Sequence, residues 1–353
     1  MKKIHLIMLS ACLILGIIVA EARTNAVALG DARVEVRIAA PDSLLDRVTV
    51  AGGTVPLFDN EMKEVETTLL RDGNSFTGSV PVDRLRQIGG VTICVDGKFI
   101  GGTAVVFSQD EPMKVEVDIT PDGSISTAHY SGASDMDIHG WMSVATIAQD
   151  ALCVDPSVYV PADKGLYADW QAVRDFQTTT AWPEYLRLAT AQCAIPDKAH
   201  DWLLNSLKAY FASQCVVPYV VAAKEYAGVD AAEPPMESYS FLDSIDYSPE
   251  VFMLTPQFLT PRWLLGNILT FAGGGIEPIG DTPVKQWQKA VDAKLAPAIK
   301  KRTQFLLDLL SAMSYVQQID AGTPLTDIQI SNISEAYTDD IGKIILARNQ
   351  NLK

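Results

Sequence analysis

Met113-Lys114-Val115-Glu116-Val117-Asp118-Ile119 alternates apolar and charged positions without a fault, and Val34-Glu35-Val36-Arg37-Ile38 does the same. A period of two places one face in a core and the other in water, which is the pattern of an antiparallel strand. Val91–Val95, Phe99–Phe107 and Gly123–Tyr130 supply further strands. Turn residues punctuate them at Asp72-Gly73-Asn74, Asp96-Gly97 and Pro121-Asp122-Gly123. Asp96-Gly97, set between Val95 and Lys98, has the composition of a two-residue hairpin. About seven short strands over residues 33–130, with no helical period, predict an antiparallel β-sandwich.

Residues 23–32 read as a flexible lead-in, and the small polar stretch 131–139 reads as a linker. From residue 140 to 353 the period becomes helical. Trp202, Leu203, Leu207, Tyr210 and Phe211 keep one face apolar, as do Phe305, Leu306, Leu309, Leu310, Met313 and Val316. Ser248-Pro249, Thr260-Pro261 and Thr282-Pro283 each predict an N-cap followed by a proline at the first helical position. Thr326-x-x-Gln329 has the spacing of a capping box. Pro218 and Pro297 predict breaks, because proline lacks the N–H that the helix needs. The expected class is therefore α+β and multidomain, with an N-terminal antiparallel β-sandwich followed by an all-α helical domain.

Ahead of both lies a leader. Lys2 and Lys3 precede an apolar run from Ile4 to Ala20, and Ala20-Glu21-Ala22 has the small-x-small form of a signal-peptidase site. Residues 1–22 thus read as a secretory signal peptide, which predicts an exported protein of the periplasm or cell envelope. Leu9-Ser10-Ala11-Cys12 has the form of a lipobox, but apolar residues continue from Leu13 to Ala20 where a polar stretch is expected. Only a lipid on Cys12 would bring the chain to a membrane.

Removal of Lys2, Lys3 and Glu21 with the leader leaves 26 basic and 42 acidic residues, a net charge of −16. Such a surface disfavours nucleic acid and anionic headgroups as partners. Four cysteines remain: Cys94, Cys153, Cys193 and Cys215. An even count in an oxidising compartment permits disulfides, with three full pairings open. No two of them form a C-x-x-C.

The order of these pieces resembles the upstream half of Bacteroidetes-type periplasmic thioredoxin-like proteins, related to the TlpA disulfide reductases. The resemblance is carried by Met113–Ile119 with Pro121-Asp122-Gly123-Ser124, by Ser238–Asp246, by the helix Lys300–Leu310, by Thr323–Ile330 and by Arg348–Lys353. In that family a β-sandwich and a helical region precede a thioredoxin domain whose W-C-x-x-C motif is catalytic. No such motif occurs here, so no catalytic residue carries over. The resemblance implies a non-catalytic binding or scaffolding protein whose partner is a protein client or a separate thioredoxin-like domain. The alternative is an independent periplasmic or surface protein that binds a peptide or glycan.

Other candidate chemistry is weak. Asp135-x-Asp137-x-His139 places three metal-ligand types two residues apart, but no fourth ligand can be named. His129, His139 and His200 are the bases left for a serine triad, and there is no G-x-S-x-G. Cys215-Val216-Val217-Pro218 lacks a resolving thiol. Gly273-Gly274-Gly275 is not followed by Lys-Ser/Thr and reads as a connector between helices. Glu233, Glu237, Asp243 and Asp246 include acid–base pairs of the kind glycosidases use, yet a solvated helix face explains them equally well. Trp170, Phe176, Trp182 and Tyr185 would line a ligand groove or pack between helices. No catalytic, cofactor or metal residue is therefore assigned from sequence.

Overall fold

The computed structural model describes residues 26–59, 63–132, 175–190, 200–213, 235–254, 261–272, 274–337 and 339–352. Strands come first: β1 Val27–Ala39, β2 Val48–Thr54, β3 Val65–Thr68, β4 Leu70–Asp72, β5 Ser75–Arg84, β6 Arg86–Val95, β7 Lys98–Ser108, β8 Met113–Ile119 and β9 Ile125–Gly132. A short helix, α1 Asp42–Leu45, separates β1 from β2. Helices follow, and the class is α+β.

The strands form a five-stranded sheet in the order β4-β5-β1-β8-β9 and a four-stranded sheet in the order β3-β2-β6-β7. Their apolar faces share one core. Val34, Val36, Ile38, Val115 and Val117 from the first sheet join Val48, Val50, Val91, Ile93 and Phe107 from the second. Strand β8 shows why: every apolar residue of Met113–Ile119 is buried and every charged one is exposed. Leu69, between β3 and β4, is buried and donates its N–H to the Val50 carbonyl at 2.8 Å, so residues 65–72 pass from one sheet to the other. The β6–β7 hairpin has Asp96 at φ 52° and Gly97 at φ 73°. Both are left-handed, as a tight two-residue hairpin requires.

Three expectations change here. The first strand begins at Val27, so most of the presumed lead-in 23–32 is strand. A register shift between Val27 and Gly30 breaks the two-residue alternation that would have revealed it. The sheets are not wholly antiparallel, because β1 and β8 run parallel with Val36 opposite Val115. Alternation reports burial, not the direction of the neighbour, and β1 reaches β8 through the whole of the other sheet rather than through a hairpin. The last strand also runs on to Gly132, taking two residues from the expected linker. The rest of that linker lies outside the described residues.

A π-helical turn, Gln177–Ala181, leads into α2 Trp182–Thr190, followed by α3 His200–Phe211 and a 3-10 segment, Met236–Ser244. Then come α4 Pro249–Phe252, α5 Pro261–Phe271, α6 Val284–Leu295, α7 Gln304–Asp320, α8 Asp327–Ala336 and α9 Asp340–Gln350. Helix α7 touches α5, α6 and α9, and it is buried on nearly every side rather than along one face. Both of its buried serines are bonded: the Ser311 hydroxyl donates to the Leu307 carbonyl at 2.8 Å, and Ser314 Oγ accepts from Ile279 N at 3.0 Å. Thr303 Oγ1 caps the helix by accepting from Leu306 N at 3.1 Å.

The capping box opens α8, with Thr326 Oγ1 accepting from Gln329 N at 3.1 Å and Gln329 Oε1 accepting from Thr326 N at 2.9 Å. Pro261 and Pro249 open helices as expected, although the Ser248 side chain makes no cap bond. Pro283 itself, not Thr282, is the N-cap of α6, so that prediction is one residue out. Helix α6 stops at Leu295, two residues before Pro297. Pro218 and Thr260 lie outside the described residues. Among the described residues no helix is long and apolar enough to cross a membrane.

Sheet and helix residues also meet. Val27, Leu57, Phe58 and Val106 belong to the same core cluster as the helices. Helix α9 lies against β1, where the Leu29 N–H donates to the Asp340 carboxylate at 2.8 Å.

Candidate functional site

Two groups of polar residues stand out, one buried where sheets and helices meet and one half-buried among the helices. The first is a clamp built from the end of β5 and the start of β6. Arg84 Nε donates to Asp83 Oδ1 at 2.8 Å, with the side chains 1% and 10% exposed. The other Asp83 oxygen accepts from Leu57 N at 2.5 Å. Arg84 Nη2 and Gln87 Nε2 both reach the Val55 carbonyl, at 3.0 and 2.9 Å. The clamp therefore fixes the loop that carries Leu57 and Phe58 into the helical core. Gln109 extends it by donating to the Ala28 carbonyl at 2.7 Å.

The second group lines a cavity of about 670 Å³ between α4, α7 and the corner joining α8 to α9. Its walls include Pro249, Phe305 and Tyr337, and its carboxylates are Glu250, Asp308 and Asp339. Asp308 Oδ1 accepts from Gln288 Nε2 at 2.9 Å and from Gln304 Nε2 at 3.0 Å. The Tyr337 hydroxyl lies 2.6 Å from Ser311 Oγ and donates to the Asp308 carbonyl at 3.3 Å. Asp339 Oδ1 caps α9 by accepting from Ile341 N at 3.1 Å. A neighbouring cavity of about 570 Å³ shares Gln304 and Asp308 and is lined by Lys285, Lys289 and Asp292.

Burial dominates the protonation equilibria of this corner. It pushes the Asp339 carboxyl up to about 6; the Ile341 N–H opposes the rise, and the charges of Asp308 and Asp340 add to it. Burial also raises Asp308, against its two glutamine donors. It lifts the Tyr337 phenol well above its ordinary range, so that group is a neutral hydrogen-bonding partner. At Asp340 burial is outweighed by Lys343 and the Leu29 N–H, which hold the carboxyl low. A carboxyl that exchanges its proton near neutrality, in a cavity, is the kind of group that functional sites use. No cluster among the described residues has the makeup to hold a metal ion.

The sequence-based candidates fare differently. Trp182, Tyr185, Phe211 and Phe241 interlock with ring centroids 5.3–5.8 Å apart, and Phe176 packs on the same core, so these rings are packing rather than a groove. Asp243 Oδ1 accepts from Lys300 N at 2.6 Å and Lys301 N at 3.0 Å, tying the turn before α7. Asp246 Oδ1 accepts from Ser248 N at 2.8 Å at the start of α4. Those two acids hold backbone, while Glu237 sits in the first turn of the 3-10 segment. Gly274 and Gly275, at φ 79° and 88°, end α5, and the Lys294 ammonium donates to the Gly275 carbonyl. His129 is exposed on β9, and His200 is the first residue of α3. Cys94 is a free, half-buried thiol on β6. Cys12, Cys153, Cys193, Cys215, Asp135, Asp137, His139, Trp170 and Glu233 lie outside the described residues.

Sequence reasoning missed Asp308, although a signal for it exists. It is the only charged residue between Arg302 and Asp320. A charge inside an apolar helical run must be hydrogen-bonded or face a cavity, because burial without partners is costly. No protein-family model matches this sequence, and no curated protein matches it.

Proposed function

We propose that this chain is an exported cell-envelope protein acting as a binding or scaffolding module, the counterpart of the non-catalytic upstream part of a thioredoxin-like oxidoreductase. In this reading the two sheets, which share a core, are a β-sandwich that stands ahead of a helical domain. The observation that carries the proposal is the joint between them. Leu57 and Phe58 enter the helical core on a loop held by Asp83, Arg84 and Gln87, and α9 is tied to β1 through Asp340. A joint with a shared core and fixed hydrogen bonds suits a part that sets the orientation of a client or of a separate thioredoxin-like domain. A flexible tether would need neither.

The cavity bearing Glu250, Asp308 and Asp339 favours a second reading, an independent binder of a peptide or glycan, since its volume of about 670 Å³ lies within the range of ligand sites. Calorimetric titration separates the two. Binding of a purified thioredoxin domain from a TlpA-type reductase supports the scaffold. No binding of that domain, with a rise in melting temperature on adding a peptide or glycan library pool, favours the second reading, because a ligand of the native state stabilises by mass action.

A further inference from the structure

The corner between α8 and α9 gathers more acid than it can neutralise. Asp339 caps α9, and Asp340, next to it, accepts from Leu29 N at 2.8 Å and pairs with Lys343 at 2.5 Å. Asp308 approaches from α7 and Glu250 from α4, across the same cavity. Tyr337, just past the end of α8, brings only a neutral phenol. Beyond Asp308 the adjoining cavity presents Lys285, Lys289 and Asp292 from α6. Among the described residues no lysine or arginine lines the cavity that holds Asp339, and neither Asp308 nor Asp339 forms an ion pair.

We propose that the Asp308–Asp339 corner is a proton-operated latch: uptake of a proton there draws the start of α9 onto α7 and, through Asp340, tightens α9 on β1, while release of that proton loosens both. The inference does not depend on the redox or scaffold reading. Its physical basis is desolvation of the Asp339 carboxylate, to which the like charges of Asp308 and Asp340 add, and a single proton removes both costs. Two effects oppose it, the bond from Ile341 N and the helix macrodipole, both of which favour a charged cap. Burial outweighs them at Asp339, as the rise to about 6 indicates. A carboxyl raised in the folded state holds its extra proton only below that value. The corner is thus tightest below the ordinary aspartate value of about 4 and loosens as the pH rises from there through about 6.

The test uses the full mature chain and two measurements. Amide hydrogen exchange at pH 5 and pH 7.5, corrected for intrinsic rates, reads opening at Leu29, Ile341 and Gly342. Protection there is expected to fall about tenfold at the higher pH, the equivalent of one unit of pKa after allowing for solvent screening. Asp339→Asn keeps the cap and removes the titration, so its protection should not change with pH. Equal protection of the wild type at both pH values overturns the latch, and so does a variant as pH-sensitive as the wild type. Carbon-13 NMR of the wild-type Asp339 carboxyl stands even if the variant fails to fold. A midpoint near 6 that falls in Asp308→Asn supports the latch. A midpoint at the ordinary aspartate value, or one indifferent to Asp308, overturns it.

Discussion

Replacing Arg84 by Met tests whether the buried clamp holds the sheets to the helices. Arg84 is 1% exposed and Asp83 10%, and they meet at 2.8 Å. Methionine keeps most of the volume but ends short of the guanidinium, so the cavity made is small. What changes is charge: Asp83 keeps its bond from Leu57 N but loses its only counter-ion in the pair. Removing one partner of a buried pair costs about 3–5 kcal/mol, most of it the penalty of the stranded charge. The Val55 carbonyl still accepts from Gln87, so its share of the loss is small, about 1 kcal/mol or less. For a chain of this size the melting temperature should fall by roughly 4–7 °C. The double variant Asp83→Asn with Arg84→Met leaves no stranded charge, and an asparagine oxygen can still accept from Leu57 N. It should recover all but about 1–2 kcal/mol, leaving the double variant about 2–3 kcal/mol more stable than Arg84→Met alone. Urea and thermal melts of the four proteins read this directly. A single variant within about 1 kcal/mol of wild type, or a double variant worse than the single, would refute the argument.

Three further outcomes are expected. Gly89→Ala should destabilise by about 3 kcal/mol, since its methyl would meet the Gly53 carbonyl oxygen at 2.2 Å and the Phe107 ring at 2.6 Å; a thermal melt checks it. Gln329→Ala should cost about 2–3 kcal/mol in urea, more than the ~1 kcal/mol of an ordinary cap, because Gln329 also bonds the Gly280 carbonyl at 3.0 Å and the Gln318 side chain. Tyr315→Phe should leave stability unchanged or raise it by up to about 1 kcal/mol, as the buried hydroxyl has no hydrogen-bond partner among the described residues; a loss above 1 kcal/mol in the same melt would mean that a partner exists.

Much of the frame could be read from local pattern. Met113–Ile119 declared itself because each charged residue had to face water, and Asp96-Gly97 because few pairs accept two left-handed residues in a row. The Thr326–Gln329 box was visible because capping is a matter of spacing alone. What escaped depends on distant neighbours. The direction of β8 beside β1 is set by chain topology, which alternation does not record. The all-round burial of α7 depends on three other helices, so its sequence showed only the strongest face. Arg84 sits beside Asp83 and Arg86, and nothing local says that the loop at Val55 folds over it. Asp308 and Asp339 are 31 positions apart, and their meeting needs the fold of α8 between them.

The central claim, that this chain works without redox chemistry of its own, is tested most directly by insulin reduction. Protein beginning at Arg23 is mixed with insulin and dithiothreitol and compared with a variant in which Cys94, Cys153, Cys193 and Cys215 are all serine. Release through a mixed disulfide needs an accessible thiolate and a resolving thiol. The account predicts that both proteins follow the dithiothreitol background. Turnover well above that background, lost in the serine variant, would contradict it.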